Sequence, residues 1–355
     1  MPQRLQGSKN LIEVYGGAAA RRTRRPAGAI ARTVSLWMLS GGLVSGWMSC
    51  SAMAGSAPPP ARPRQVVCDG GSGRFQATFE TGVRVTVDAV PRAGFASRAC
   101  QAVLSRGGGR VVAVPSADRI DLDAMGADLG LGVPVAAFTV RTAKQDWQSR
   151  YAIWSLEKNP RRLRTLTGGG SYRAVDADFN RYVAIWTTDA RGAEGFDGFT
   201  RADYEFPPMV VLRFERGKLV DVSAWYRAQY DRQIAAVRQE LSPPALAAFQ
   251  QSDGRLRLGS TPPQDLARLR KTKVRVLEIV WSYLYSGRPA QAWKELDAAW
   301  PTADRARVQA AILKARANGI EAQVAGVASP RLPPKWHQAS FVYQYLRVPS
   351  ASTAN

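Results

Sequence analysis

The period of the apolar residues changes once along this chain, and that change constrains the fold more than any other feature. From Val66 to about Asp221, short apolar runs are broken by Gly, Pro and Asp, with alternation in RFQATFE, VRVTVDA, RIDLDA, PVAAFTVR, YAIWSLE, YVAIWTT and MVVLRFE. Alternation at period two places one set of side chains on each face of a strand. No amphipathic helix separates the runs, so the strands are expected to pair antiparallel, as a sandwich, a barrel or part of a propeller. From Ser223 onward the spacing is helical. The expected fold class is therefore α+β, a mainly antiparallel β domain over 66–222 followed by an α-helical domain over 223–327.

Within the helical part, Tyr230, Ile234, Val237 and Leu241 follow one face, with Ser223 placed as an N-cap and Pro243 and Pro244 as the stop. A second, longer helix carries Leu266, Leu269, Val276, Leu277, Val280 and Leu284 on one face. Arg268, Lys271 and Arg275 fall three and four apart on another, which predicts a basic stripe open to a partner. A third helix after Gly287-Arg288-Pro289 places Ala292, Leu296 and Ala299 in register and closes at Pro301. Thr302 can cap a fourth, bearing Val308, Ala311, Ile312 and Ala315 and ending at Asn318-Gly319. The remaining 328–355 is proline-rich at first, but FVYQYLRV has strand-like content and is expected to return to the β domain.

The start of the chain has the composition of a targeting signal. A basic stretch, ARRTRRPAGAIAR, precedes an uncharged run from Thr33 to Met48 and then Ala52-Met53-Ala54, so 1–54 reads as a signal peptide with a long basic n-region. The run is shorter than the ~20 residues of a spanning helix, which favours cleavage over anchoring and leaves no transmembrane span afterwards. Lipidation at Cys50 is the weaker alternative, because no Leu-led lipobox precedes it. A Pro/Ala-rich linker is expected over 55–65. The expected location is extracytoplasmic, periplasmic or secreted. In that compartment the two remaining cysteines, Cys68 and Cys100, read as a disulfide, with two unpaired buried thiols as the alternative.

A formal net charge of +21 at pH 7 gives the chain a field that attracts polyanions. Export disfavours nucleic acid as the physiological partner and leaves an envelope protein or an anionic polymer. The single histidine, His337, excludes His-based triads, dyads and multi-His metal sites. Glycines at 107–109 and 168–170 match neither a phosphate-binding loop nor a dinucleotide fingerprint and read as hairpin turns.

Asp176, Asp178 and Asn180 place oxygen-bearing side chains at alternate positions of a turn before a strand, an arrangement that can converge on Ca2+. Over about 172–189 this segment resembles the acidic loops of FG-GAP or VCBS repeats, which implies a calcium site. Arg181 and Ala184 depart from the pattern, however, and Asx-type bonding to the turn backbone is the simpler expectation, with no cofactor. Over about 276–301, WSYLYSGRPAQAWKELDAAWP resembles one tetratricopeptide unit, with small residues at Gly287 and Ala292 that let two helices approach closely. The resemblance implies a helical hairpin.

The functional expectation is a non-catalytic envelope module binding a protein or a polyanion through the helical part. The alternative is an extracytoplasmic hydrolase using carboxylates among Asp121, Asp123, Asp128, Glu194 and Asp197, whose spacing in sequence selects no pair. Tryptophans in the β domain can supply sugar-stacking platforms, but core packing is their commoner role.

Overall fold

Three successive up-and-down meanders follow from the period-two runs and the turns between them. In this computed structural model, which describes residues 64–68, 73–92, 98–142, 147–176, 182–257 and 261–326, the first meander is β2 (Phe75–Thr78), β3 (Arg84–Pro91), β4 (Arg98–Arg106) and β5 (Gly109–Ala117). The second is β6 (Arg119–Ala127), β7 (Val135–Arg141), β8 (Ser149–Ser155) and β9 (Arg162–Gly169). β1 (Arg64–Val67) pairs along the outer side of β6, so strand structure already occupies Arg64 and Gln65, the last positions of the expected linker. The third is β10 (Arg173–Val175), β11 (Ala184–Thr188), β12 (Met209–Glu215) and β13 (Lys218–Asp221). Every strand pairing within the three sheets is antiparallel, and each sheet is open among the described residues.

The second sheet is covered on both faces. Ala136, Phe138 and Val140 of β7 join a core with the first sheet, while Val135 and Ala137 join a second core with the third sheet and the helices. β8 divides in the same way, Ala152 and Trp154 to one side, Tyr151 and Ile153 to the other. Double coverage explains why PVAAFTV reads as an almost continuous apolar run although its neighbours are antiparallel. Thr139 is the polar exception, and its hydroxyl donates to the Tyr172 carbonyl at 3.3 Å.

The helical part consists of α2 (Arg227–Glu240), α3 (Pro243–Gln250), α4 (Pro263–Tyr285), α5 (Pro289–Ala299) and α6 (Arg305–Asn318), with one short turn, α1 (Ala190–Ala193), inside the β-rich part. The long helix α4 is the hub. Val276, Leu277, Val280, Trp281 and Leu284 face the large shared core, and Ile279 packs on Ile234 and Val237 of α2. Antiparallel sheets in the N-terminal part thus precede helices in the C-terminal part, and the two share one hydrophobic core. The α4–α5 turn needs a left-handed residue at Gly287 (φ 74°), where the Gly287 and Arg288 amides close back on the Leu284 and Tyr283 carbonyls. A side chain there would also press on Ala224.

Four local expectations are corrected. Ser223 does not cap α2; it lies buried in a 3-10 turn, its hydroxyl accepting from the Val211 amide at 2.8 Å. Pro243 and Pro244 do not simply stop α2 but open α3, whose N-cap is Ser242. Thr302 lies within a 3-10 turn, and Asp304 stands at the head of α6. Gly168 and Gly169 form no hairpin turn: they end β9 where the chain crosses to the third sheet, and a side chain at Gly169 would collide with Thr187 and Tyr172.

Two links tie distant parts together. Cys68 and Cys100 are bonded, closing a separation of 32 residues between the end of β1 and β4. At the other side of the second sheet, the edge strand β9 is met by the side chain of Gln323. Its amide accepts from the Thr167 N–H at 2.9 Å and donates to the Thr167 carbonyl at 2.6 Å, taking the place of a neighbouring strand. Among the described residues no helix is long and apolar enough to cross a membrane. The segments 1–54 and 328–355, with Cys50, Trp336, His337 and the FVYQYLRV run, lie outside the described residues, as do positions 55–63 of the linker.

Candidate functional site

The predicted basic stripe lies on α4, and the packing of that helix divides its members. Arg268 and Lys271 are exposed, Arg268 bonded to Asp265 at 2.8 Å and Lys271 placed 3.9 Å from Glu240. Arg275 is not part of an open stripe, because it is 8% exposed and surrounded by carboxylates. Its guanidinium meets Glu278 at 2.6 Å, Glu205 at 2.5 Å and Glu240 at 3.1 Å. Glu278 in turn accepts from the backbone amides of Glu205 at 2.6 Å and Phe206 at 2.8 Å. Burial pushes the Glu278 carboxyl up, opposed by those amides and by Arg275. This cluster fastens the segment before β12 to α2 and α4.

Beside the exposed part of the helix runs a groove of about 430 Å³, lined by Asp203, Leu266, Ala267, Arg270, Lys271 and Val274. Its floor is apolar. Arg270 lies over the Phe199 ring at 4.7 Å and donates to the Gly198 carbonyl at 3.1 Å, which holds its guanidinium at the groove wall. A second hollow, of about 800 Å³, lies on the β-rich side between Arg106, Lys158 and Arg161, with Glu80 and Glu157 among them.

One turn further inside, Lys273 is 1% exposed and bonded to Asp197 at 2.6 Å. Arg307 grips the same carboxylate at 3.0 and 3.1 Å and also holds Asp304, which accepts from the Trp300 indole at 3.0 Å. Burial pushes the Lys273 ammonium below its ordinary value, against the pull of Asp197. Asp189 plays a comparable structural part: it is buried, caps α1 through the Gly192 amide and accepts the Tyr285 hydroxyl at 2.6 Å.

The candidate carboxylates have separate duties. Asp121 pairs with Arg119 at 3.1 Å and Arg141 at 3.8 Å, and Asp128 accepts from the amides of Gly130, Leu131 and Gly132. Glu194 ends α1, and Asp197 belongs to the lysine cluster just described. Asp123 accepts from the Tyr151 hydroxyl and from the Ala174 amide at 2.7 Å, joining the second sheet to β10. Burial pushes its carboxyl up to about 6, against those two hydrogen bonds.

A carboxyl near 3.9 in the unfolded chain and about 6 when folded holds its proton more tightly in the folded state. The stability it allows is therefore greatest below about pH 4, falls through the window from 4 to 6, and stays at the lower level above. Asp123→Asn should flatten this dependence, reducing the difference in unfolding free energy between pH 5 and pH 7 by about 1 kcal/mol. Urea titrations at the two pH values test this, and an unchanged difference would show that Asp123 is ionised throughout.

Of the predicted calcium ligands, Asp176 is half-buried at the end of β10, whereas Asp178 and Asn180 lie outside the described residues. Among the described residues no group of three or more His, Cys, Asp or Glu is placed to hold a metal ion. Reading the sequence missed Glu205, Glu240 and Glu278 as partners of Arg275, and Lys273 as a buried cation. The apolar surroundings of Lys273, with Thr272 and Val274 beside it and Val276 and Leu277 following, were the available signal. No family model matches the chain, and neither a curated protein nor a solved structure matches it.

Proposed function

We propose that this chain is an exported, extracytoplasmic protein of the bacterial envelope, periplasmic or secreted, that binds another protein without catalysis through the groove beside α4. The observation that carries the reading is the lining of that groove, in which the apolar Leu266, Ala267 and Val274 lie beside Arg270 and Lys271, two cations against the one carboxylate of Asp203. Such a surface suits a partner segment with an apolar side chain next to a carboxylate. The resemblance of the α4–α5 hairpin to a tetratricopeptide unit supports a peptide-binding role. The basic segment, uncharged run and Ala52-Met53-Ala54 support export, as does a cysteine pair joined as a disulfide.

Tagged full-length chain, expressed in its own cells and captured at about 0.15 M and about 0.5 M salt, tests the reading. One protein should be retained at both salt levels by the native chain and lost from the Ala267→Glu/Lys271→Glu variant, both changes being at exposed positions. Retention by the variant would rule out the groove. Capture that disappears at the higher salt would indicate adhesion of an anionic polymer instead.

A further inference from the structure

The hairpin that joins β12 to β13 turns on two residues. Glu215 and Lys218 face each other across it, and Arg216 and Gly217 between them have φ of 50° and 75°. Positive φ at both places defines a type I′ turn, which follows the twist of the strands and draws Asn-Gly or Asp-Gly by preference. Gly217 meets this requirement, whereas Arg216 puts a long side chain on a left-handed backbone, which is strained. Among the described residues its guanidinium has no hydrogen-bond or ion-pair partner. Strain kept at an exposed position, with no contact to offset it, points to a use outside the fold.

Two further cations share the place. Lys218 is exposed and has no partner among the described residues. Arg164 comes from the edge strand β9 and donates to the carbonyls of Gly217 at 3.1 Å and Leu163 at 3.0 Å. Those bonds fix its guanidinium beside the turn, exposed and without a carboxylate among the described residues. The carboxylates of the adjoining segments are engaged: Glu215 pairs with Arg213 at 3.4 Å, and Asp128 accepts from three amides of its own turn. Arginine on β9 can serve to guard an open strand edge, but a two-residue turn has no edge to guard. A side chain at Gly217 would meet no other atom within 4 Å, so the turn opens on solvent.

Three cations without counter-ions call for an anion, and the surroundings select its form. Arg164 and Arg216 carry planar donor sets that suit phosphate oxygens, and Lys218 adds a point charge. The strands behind the turn are packed: Val210, Val211, Leu212 and Phe214 of β12 and Leu219 of β13 are buried, and Ala325 and Gly326 bond along β13. Only the turn is therefore available, not a ribbon that could enter a nucleic-acid groove or a channel that could hold a chain. A bilayer surface needs neither, because it offers phosphates over its whole plane. Arg162, exposed on the same edge strand, and the net charge of +21 add to the attraction.

We propose that the β12–β13 turn, with Arg164 beside it, binds the head groups of an anionic phospholipid bilayer through Arg164, Arg216 and Lys218. The contact is peripheral and electrostatic, and it shares no residue with the groove beside α4.

Co-sedimentation of the full-length chain with phosphatidylcholine vesicles, with and without phosphatidylglycerol, at about 0.1 M and about 0.5 M salt tests this assignment. The native chain should bind the phosphatidylglycerol vesicles at the lower salt and leave them at the higher. Arg216→Asn should weaken that binding about fivefold, the share of one cation near an anionic surface. The same variant should raise the melting temperature by about 2 °C, because Asn suits the left-handed backbone, so the lost binding is not lost folding. Arg164→Gln/Lys218→Gln should weaken binding about twentyfold. Lys294→Gln/Lys314→Gln, which removes two exposed cations from the helices, should change it by less than about twofold, since charges beyond a screening length contribute little. Binding that is independent of phosphatidylglycerol, or turn variants that lose no more than the helix variant, overturn the proposal. So does a DNA duplex that binds the native chain and not the turn variants while vesicles stay unbound, which would make the turn a nucleic-acid contact.

Discussion

Asp197→Asn is expected to lower the unfolding free energy by about 3–5 kcal/mol, the cost of leaving a buried charge without its counter-ion. The shape of the side chain and its tolerance of the left-handed backbone (φ 53° at Asp197) are retained, so the loss reports the charge and the one acceptor oxygen that becomes a donor. Lys273 is 1% exposed, and its remaining neighbours include the rings of Phe199 and Trp300, each 5.6 Å from the ammonium. Those rings cannot replace a carboxylate at 2.6 Å. Arg307 loses one of its two bonds to this side chain, since the amide oxygen of Asn still accepts one N–H, and keeps Asp304. Adding Lys273→Met should recover much of the loss, because an apolar chain of similar length suits the site once the carboxylate is gone. Urea unfolding of the two single variants and the double variant gives the coupling directly. Additive effects would show that the lysine and the aspartate do not interact.

Cys68→Ser/Cys100→Ser should cost about 3.7 kcal/mol at 25 °C by the loop-entropy relation, given a separation of 32 residues. The effect is concentrated on β1, a strand of four residues whose pairing with β6 runs from Arg64↔Leu122 to Val67↔Arg119. Without the bond, that strand keeps only a short ladder and the burial of Val66 against the core between the first and second sheets. Both cysteines are fully buried, so the serines add a polar group to the same core and the loss should not be smaller than the entropy alone. Denaturation with and without reductant checks the assignment: reductant should shift the native chain and leave the variant unmoved. A native midpoint indifferent to reductant would show free thiols.

The meanders were legible because a period-two pattern survives wherever one face of a strand is covered. It fails in β7, where both faces are buried, and there the run of apolar residues gave the strand but not its two neighbours. α2, α5 and α6 were legible because each buries one face, and α4 because its first turns do, although residues 272–282 are buried all round. α3 was hidden by its opening prolines, which mark a beginning and an end equally well until Ser242 is seen to cap it. The candidate site was less visible for a different reason. Helical spacing correctly set Arg275 on a face distinct from Val276 and Leu277, but it carried no information about Glu205 and Glu240, which reach that arginine from other elements.

Gln323 bonds to Thr167 across 156 positions, and this has a bearing on biosynthesis. As the chain emerges from the ribosome, β6 to β9 can assemble long before that glutamine is available. The bare N–H and C=O groups at the rim of β9 are then open to any other extended segment, including the same strand of a neighbouring nascent copy. A polypeptide truncated before the last described turn would retain every strand of the sheet yet lack its stopper. Intermolecular pairing during synthesis is therefore restrained first by the arginines at 161, 162 and 164, whose charges repel an identical strand, and only at the end by an amide that fits the gap.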